Sequence, residues 1–179
     1  IHAASATSKS LVSLEANDKG WEEATNTSLK LTSGTDLAIT AVGDKPVVLE
    51  RSTGILHLPE GKTVNLDTSG LALQQPGPDA DSVLVASRNE LISIPLDGGK
   101  VTRTPSSKEK SAPEGVAAQP VRLGKCVYAA WSGSGQFVRS CSGLFSGGTE
   151  TLHDDKLAAS SAPIFRVNRD AIVLNDLET

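Results

Sequence analysis

The sequence predicts an all-β protein, built as a propeller-like array of about four small antiparallel blades. Short runs of apolar and β-branched residues alternate with turns rich in Gly, Pro, Asn and Asp, and helical periodicity is almost absent. The runs also recur in groups of similar layout, as expected for a repeat architecture. A β-sandwich assembled from the same short strands is the alternative.

The runs divide into four groups. Each has a small apolar strand, a tight polar turn and a strand richer in Val, Ile and Leu, and the third group continues through Leu144–Phe145. The central turns fall at Asp44, Asn89, Gly135 and Asp170, with spacings of 45, 46 and 35 residues. The first two spacings are close to the period of about 40–45 residues that is typical of a four-stranded propeller blade.

Residues 1–27 are predicted to be an irregular N-terminal segment with one possible closing strand, Leu11–Leu14. This strand would complete the last group and close a ring of four, or the ring is larger and continues beyond Thr179. The best helical candidate is Asn17–Thr25, with at most two turns. Residues 105–117 are polar and contain prolines, so they are predicted to form an exposed loop. We treat all 179 residues as a single domain or a fragment of a longer protein, because the chain lacks an initial Met.

The composition narrows the classes of protein that fit. The chain has 17 Lys and Arg against 21 Asp and Glu, a net charge of -4, so we expect no nucleic-acid partner. No apolar run approaches the roughly 18 residues of a membrane span, so we expect no membrane insertion. Three His and two Cys leave little material for a zinc site, and we expect no metal or cofactor.

The two cysteines lie in a predicted β-hairpin whose loop is Ser132–Gly135. If Trp131 pairs with Gln136, the same register places Cys126 opposite Cys141, where Cβ atoms are about 4.5–5.5 Å apart. We predict a disulfide, with two buried thiols as the alternative. A stable disulfide implies an oxidising compartment outside the cytosol.

Sequence motifs give no support for catalysis. The Gly-x-Ser-x-Gly elbow, the phosphate-binding loop and the calcium-loop pattern are all absent from the sequence. The most ligand-like cluster, His153-Asp154-Asp155, is better explained as a polar turn. We therefore predict a protein that is not an enzyme, with a propeller hydrolase or lyase as the less favoured alternative.

Candidate binding residues lie in the turns and around the cysteine hairpin. Strand alternation places Tyr128 on one face of the hairpin and Trp131 on the other, and an aromatic cluster there is either a binding patch or core. The candidate surface comprises Asp44, Asn89, Tyr128, Trp131, Phe137 and Arg139.

Five sequence segments together resemble a known family. They are Leu37–Leu49, Leu73–Pro78, Ile94–Gly99, Pro120–Trp131 and Arg166–Asp176. The set resembles the N-terminal extracellular β-rich region of actinobacterial, bifidobacterial-type surface proteins that contain fibronectin type III domains. The resemblance spans most of the chain and brings no active-site motif.

This resemblance implies a membrane-anchored cell-surface protein, in which the β-rich region precedes fibronectin type III repeats. The implied role is adhesion, sensing or binding of host proteins such as cytokines. The alternative is a rigid spacer or dimerisation unit that presents the repeats, so we expect either a monomer or a homodimer.

Overall fold

A computed structural model describes residues 1–32, 34–109, 111–142 and 148–176. The all-β class is confirmed, since this part of the chain consists of several small antiparallel sheets and a single short helix. The described residues form neither a closed barrel nor a closed propeller. The predicted run Leu144–Phe145 and Lys110 of the predicted loop lie outside these ranges.

The N-terminal segment is more regular than predicted. Its strands are β1 (His2–Ser5), β2 (Ser10–Ser13), β3 (Ala16–Asn17), β4 (Gly20–Trp21) and β5 (Thr25–Ser28). Strand β2 lies between β1 and β5 in a three-stranded N-terminal sheet, and β3 pairs with β4 in a separate hairpin. The strand expected to close the last group is therefore a central strand of its own sheet, and the prediction of closure is wrong.

The predicted helix at Asn17–Thr25 is also wrong. The Asn17 side chain accepts a hydrogen bond from the Lys19 backbone N–H (2.8 Å), a local bond that favours a turn over a helix. Gly20 then adopts a positive φ of 122°, which side chains disfavour. Together these residues reverse the chain and form the β3–β4 hairpin.

Two four-stranded antiparallel sheets follow, each with its strands in chain order. The first sheet comprises β6 (Leu37–Val42), β7 (Lys45–Glu50), β8 (Ile55–His57) and β9 (Thr63–Asn65), with a short 3₁₀ turn at Pro59–Gly61. The second sheet comprises β10 (Ala72–Leu73), β11 (Ser82–Ala86), β12 (Glu90–Pro95) and β13 (Thr102–Pro105).

A third sheet and a final hairpin complete the described chain. The third sheet contains β14 (Val116–Ala117), β15 (Val121–Leu123), β16 (Cys126–Ser132), β17 (Gln136–Cys141) and β18 (Thr149–His153). The helix α1 (Asp155–Ala159) leads to β19 (Pro163–Asn168) and β20 (Ala171–Asp176), which pair only with each other among the described strands.

The turns used for the sequence spacing are not equivalent. Asp44 lies between the first and second strands of its sheet, whereas Asn89 lies between the second and third. Gly135 precedes β17 and matches Asn89, while Asp170 joins β19 to β20 and matches Asp44. The predicted spacings of 45, 46 and 35 residues therefore compare two different kinds of turn. The predicted division into successive small sheets agrees with the structure.

The cysteine hairpin has the predicted register. Trp131 pairs with Gln136 and Cys126 pairs with Cys141, and the two cysteines form a disulfide. The prediction of this disulfide is confirmed.

Successive sheets share apolar cores because strand side chains alternate between two faces. In β11, Val83 and Val85 face the first sheet, whereas Leu84 and Ala86 face the third. In β16, Trp131 packs against the second sheet, whereas alternate residues of the same strand pack against α1 and β19. The second and third sheets are thus buried on both faces.

The predicted 105–117 loop is shorter than expected, because Pro105 ends β13 and Val116–Ala117 form β14. The described residues between these strands are largely exposed. The two ends of the loop are tied to the Asn89 turn. The Ser106 N–H donates to the Asn89 carbonyl (2.8 Å), and the Gly115 N–H donates to the Arg88 carbonyl (3.0 Å). The loop and the Asn89 turn therefore lie at the same end of the second sheet.

Candidate binding site

Exposed apolar side chains gather at one cleft between the N-terminal sheet and the first sheet. Ile1, Trp21 and Ile39 are 72%, 63% and 37% exposed and all line it. The cleft has a volume of 720 Å³. The other large apolar residues that are exposed in the described chain, Val116, Leu152, Val167 and Val173, lie outside this cleft. A cluster of this kind is typical of an interaction surface.

This Trp21 cleft is defined by residues from β1, β3, β4 and β6, the β6–β7 turn and Pro76. It is lined by Ile1, His2, Leu14, Glu15, Ala16, Trp21, Ile39, Thr40, Ala41, Gly43, Asp44 and Pro76.

Local sequence explains why Trp21 and Ile39 are exposed there. The β3–β4 hairpin is only two residues long on each side, so it has no opposite sheet to cover Trp21. Ile39 lies on β6 between the buried residues Ala38 and Thr40, and therefore points to the other face of the strand. Both apolar side chains are left at the surface.

The β6–β7 turn fixes one wall of the cleft. Gly43 has a φ of +63°, and its N–H donates to the Gly77 carbonyl (3.0 Å). A Cβ at Gly43 would lie 3.1 Å from atoms of Asp79, so the turn packs closely against the neighbouring chain segment. This packing places Asp44 on the rim of the cleft.

Two carboxylates, Glu15 and Asp44, line the cleft, and the amino group of Ile1 donates to the Leu14 carbonyl (2.7 Å). Lys45, next to Asp44, is bound to Asp79 at 2.9 Å. This hydrogen bond, with the attraction between the two charges, lowers the pKa of Asp79 and raises the pKa of Lys45. Neither Glu15 nor Asp44 belongs to an ion pair within the described ranges.

The six predicted surface residues do not form one surface. Asp44 lines the Trp21 cleft, whereas Asn89 lies with the loop at the end of the second sheet. Trp131 is fully buried between the second and third sheets, where its indole N–H donates to the Ser87 carbonyl (2.6 Å). It is a core residue here, with no surface to offer a partner.

The remaining three predicted residues lie together on one face of the third sheet. The rings of Tyr128 and Phe137 are 6.3 Å apart, and Arg139 is directly opposite Tyr128 in the register. The hydrogen bond with Tyr128, followed by that with Glu150, raises the pKa of Arg139, and its guanidinium donates to Glu150 at 3.1 Å. Phe137 also contacts Phe165 and lines a second cleft of 530 Å³ beside α1.

The cluster His153-Asp154-Asp155 lies at the N-terminus of α1. Asp154 accepts hydrogen bonds from the backbone N–H groups of Lys156 and Leu157, at 2.8 and 3.0 Å, and so caps the helix. His153 Nε2 lies 3.1 Å from Asp155 Oδ1. In the ranges that the structure describes, no group of three or more His, Cys, Asp or Glu side chains is arranged to hold a metal ion.

The Trp21 cleft was missed by the sequence analysis, which assigned Trp21 to a helix. A usable signal was present, because Trp21 directly follows the turn-forming segment Asn17-Asp18-Lys19-Gly20. A large aromatic residue beside such a turn has few neighbours to bury it.

No model of a known protein family matches this chain, and no curated protein matches it either. No helix in the described part of the chain is long and apolar enough to cross a membrane.

Proposed function

We propose that this chain is a non-enzymatic, extracellular protein-interaction module of a bacterial cell-surface protein. Its partners would be host or surface proteins, for example cytokines. The observation that carries the proposal is the Trp21 cleft, where exposed Trp and Ile side chains are rimmed by carboxylates. Exposed aromatic anchors with a polar rim are characteristic of protein-binding surfaces.

An extracellular location has independent support from the Cys126–Cys141 disulfide. Disulfides persist in oxidising compartments and are rare in the cytosol. The proposed relationship to actinobacterial fibronectin type III domain-containing surface proteins is supported by the five sequence segments that resemble this family.

The proposed arrangement of the sheets is a propeller-like array of about four blades. Two features support it over a two-layer β-sandwich. The first and second sheets each contain four antiparallel strands in chain order, as a blade does. Three apolar clusters separate the first sheet from the second, the second from the third, and the third from the β19–β20 hairpin.

Binding to immobilised extracellular host proteins, including cytokines, tests the proposed function. We expect at least one partner to bind the chain, and we expect Trp21→Ala to weaken that binding. Val116→Ala is the matched control, because Val116 is 70% exposed and lies outside the cleft. Absence of any partner, or equal binding by wild type and Trp21→Ala, contradicts the proposal.

A second candidate function is a spacer that dimerises through an open sheet edge. It is favoured by β20, a six-residue strand that pairs on one side only among the described strands, and by Val173, which is half exposed. Unpaired edges readily accept another strand. Sedimentation at increasing concentration distinguishes the two, because a monomer at all concentrations rules out the dimer.

A further inference from the structure

We infer that the Trp21 cleft binds a cationic segment, in which an Arg or Lys side chain is flanked by apolar residues. This inference deepens the proposed function and rests on it. It assigns the chemistry of the partner from the charges and apolar groups that surround the cleft.

The apolar part of the cleft requires apolar side chains on the partner. Trp21 and Ile39 are the side chains from β4 and β6 that are exposed at the cleft, and Pro76 adds a further apolar group. A volume of 720 Å³ lies within the range of about 300–1,000 Å³ that is usual for ligand pockets, so the cleft accommodates several side chains. One side chain of the partner would leave most of this surface exposed to water.

The charges around the cleft require a positive group on the partner. Two carboxylates, Glu15 and Asp44, line the cleft from opposite walls. Residues 16–23, which continue the hairpin from Glu15, add three further carboxylates and one lysine in sequence outside the lining itself. Lys45 is already bound to Asp79 and does not offset Asp44 fully. A positive partner is therefore attracted to this rim, and a negative one is repelled.

Trp21 links the two requirements, because an indole ring offers an apolar surface and also attracts cations. An Arg or Lys side chain placed over the ring gains a cation–π interaction while its methylene groups contact apolar neighbours. The combination of exposed Trp and nearby Glu15 thus favours a basic side chain over a purely apolar one.

A second copy of the chain fits the cleft poorly. In a two-fold symmetric contact, the same surface patch meets itself. Glu15 and Asp44 of one copy would then approach the equivalent carboxylates of the other, and like charges repel. A different, basic partner avoids this repulsion.

Selection of random peptides displayed on phage tests the inference. The wild-type chain is the target, and peptides are retained on their binding to it alone, so that their dependence on Trp21 is measured afterwards. We expect the retained peptides to contain Arg or Lys next to Leu, Ile or aromatic residues.

Affinities of one retained peptide for defined variants give the quantitative test. We expect Trp21→Ala to weaken binding by about tenfold or more, as for an aromatic hot spot. Glu15→Gln and Asp44→Asn should each weaken it by about two- to fivefold at low salt. These losses should vanish at about 1 M salt, where the screening length is about 3 Å. Glu109→Gln, a charge loss in the exposed 105–117 loop, should have no effect.

The outcomes separate failure of this inference from failure of the proposed function. Peptides that depend on Trp21 but are neutral or acidic overturn the cationic partner and leave an interaction module. Binding that is unchanged in Trp21→Ala, or no retained peptide, overturns both. Concentration-dependent self-association that Trp21→Ala abolishes identifies a second copy as the occupant and overturns the cationic partner. Unchanged circular dichroism and melting of each variant show that it is folded.

Discussion

At the scale of single residues, Glu50 is a carboxylate without solvent exposure at the end of β7. His57 Nε2 lies 2.7 Å from its Oε1, and the Thr32 backbone N–H donates to its Oε2 at 3.1 Å. Burial acts most strongly and raises the pKa of Glu50, but the hydrogen bonds from His57 and Thr32 outweigh burial and leave the pKa below its ordinary value. The folded protein therefore favours the ionised form of Glu50.

The lowered pKa predicts a contribution to stability that depends on pH. Because the pKa is lower in the folded than in the unfolded chain, the contribution is complete above the ordinary Glu pKa and is lost as the pH falls through the folded value. We expect Glu50→Gln to reduce the free energy of unfolding at neutral pH by about 1–3 kcal/mol. The difference from wild type should shrink on acidification.

Chemical denaturation of both proteins over a range of acidic and neutral pH measures this difference. Glu109→Gln is the control, because it removes an exposed carboxylate from the 105–117 loop. A difference that stays constant with pH would show that the carboxylate charge does not contribute.

Individual residues differed in how well the sequence predicted their roles. The disulfide was predictable because strand pairing is local in the hairpin, and one residue pair sets the whole register. The pairing of Glu50 with His57 was not predicted, since it depends on the register of β7 with β8 and on which face is buried. The burial of Trp131 depends on a partner sheet that is remote in sequence.

At the scale of secondary-structure elements, the hairpin β16–β17 is the element with a covalent cross-link. The disulfide joins residues that are 15 apart, so it closes a short loop in the unfolded chain. A loop of this length predicts a stabilisation of roughly 3 kcal/mol through reduced entropy of the unfolded state.

Reduction of the disulfide should therefore lower the melting temperature. Thermal melts with and without a reductant, together with intact mass after thiol labelling, measure the effect and confirm which thiols were accessible. The Cys126→Ser/Cys141→Ser double variant should melt like the reduced wild type. Equal melting of the oxidised and reduced forms would contradict the prediction.

Two helical elements differ from the prediction: the helix expected at Asn17–Thr25 is a hairpin, and the helix α1 was not predicted. Both differences involve the same type of hydrogen bond. The side chains of Asn17 and Asp154 each accept a hydrogen bond from a nearby backbone N–H. The first bond helps to form a turn, whereas the second caps a helix. Periodicity over a few residues does not distinguish a turn from a helix. At Asn17–Thr25 the positive φ of Gly20 favours the turn.

At the scale of the whole molecule, successive sheets are coupled through shared cores. Residues of β11 and β12 contact the first sheet on one face and the third sheet on the other. The division into small sheets was predictable from short runs and turns, but the packing order was not, since it depends on contacts between distant segments. The candidate site was likewise only partly predictable, with Asp44 anticipated and Trp21 missed.

Because adjacent sheets share a core, a cavity in that core should destabilise both sheets. We expect Trp131→Ala to reduce the free energy of unfolding by about 3–5 kcal/mol, because it leaves a large cavity. Hydrogen exchange should accelerate in β11 and β12 as well as in β16 and β17. Trp21→Ala is the matched control, since this tryptophan is largely exposed and its loss should leave exchange in these strands unchanged. Acceleration confined to β16 and β17 would show that the sheets unfold independently.

The disulfide also limits how far the chain can lengthen when it is pulled from both ends. Residues between Cys126 and Cys141 are bypassed by the covalent link, so force passes directly from one cysteine to the other. At about 3.4 Å per residue, this bypass hides roughly 50 Å of extensible length. Single-molecule stretching should therefore give a contour length that is shorter by roughly this amount in the oxidised protein than in the reduced one. An equal length in both states would mean that the link does not carry the load.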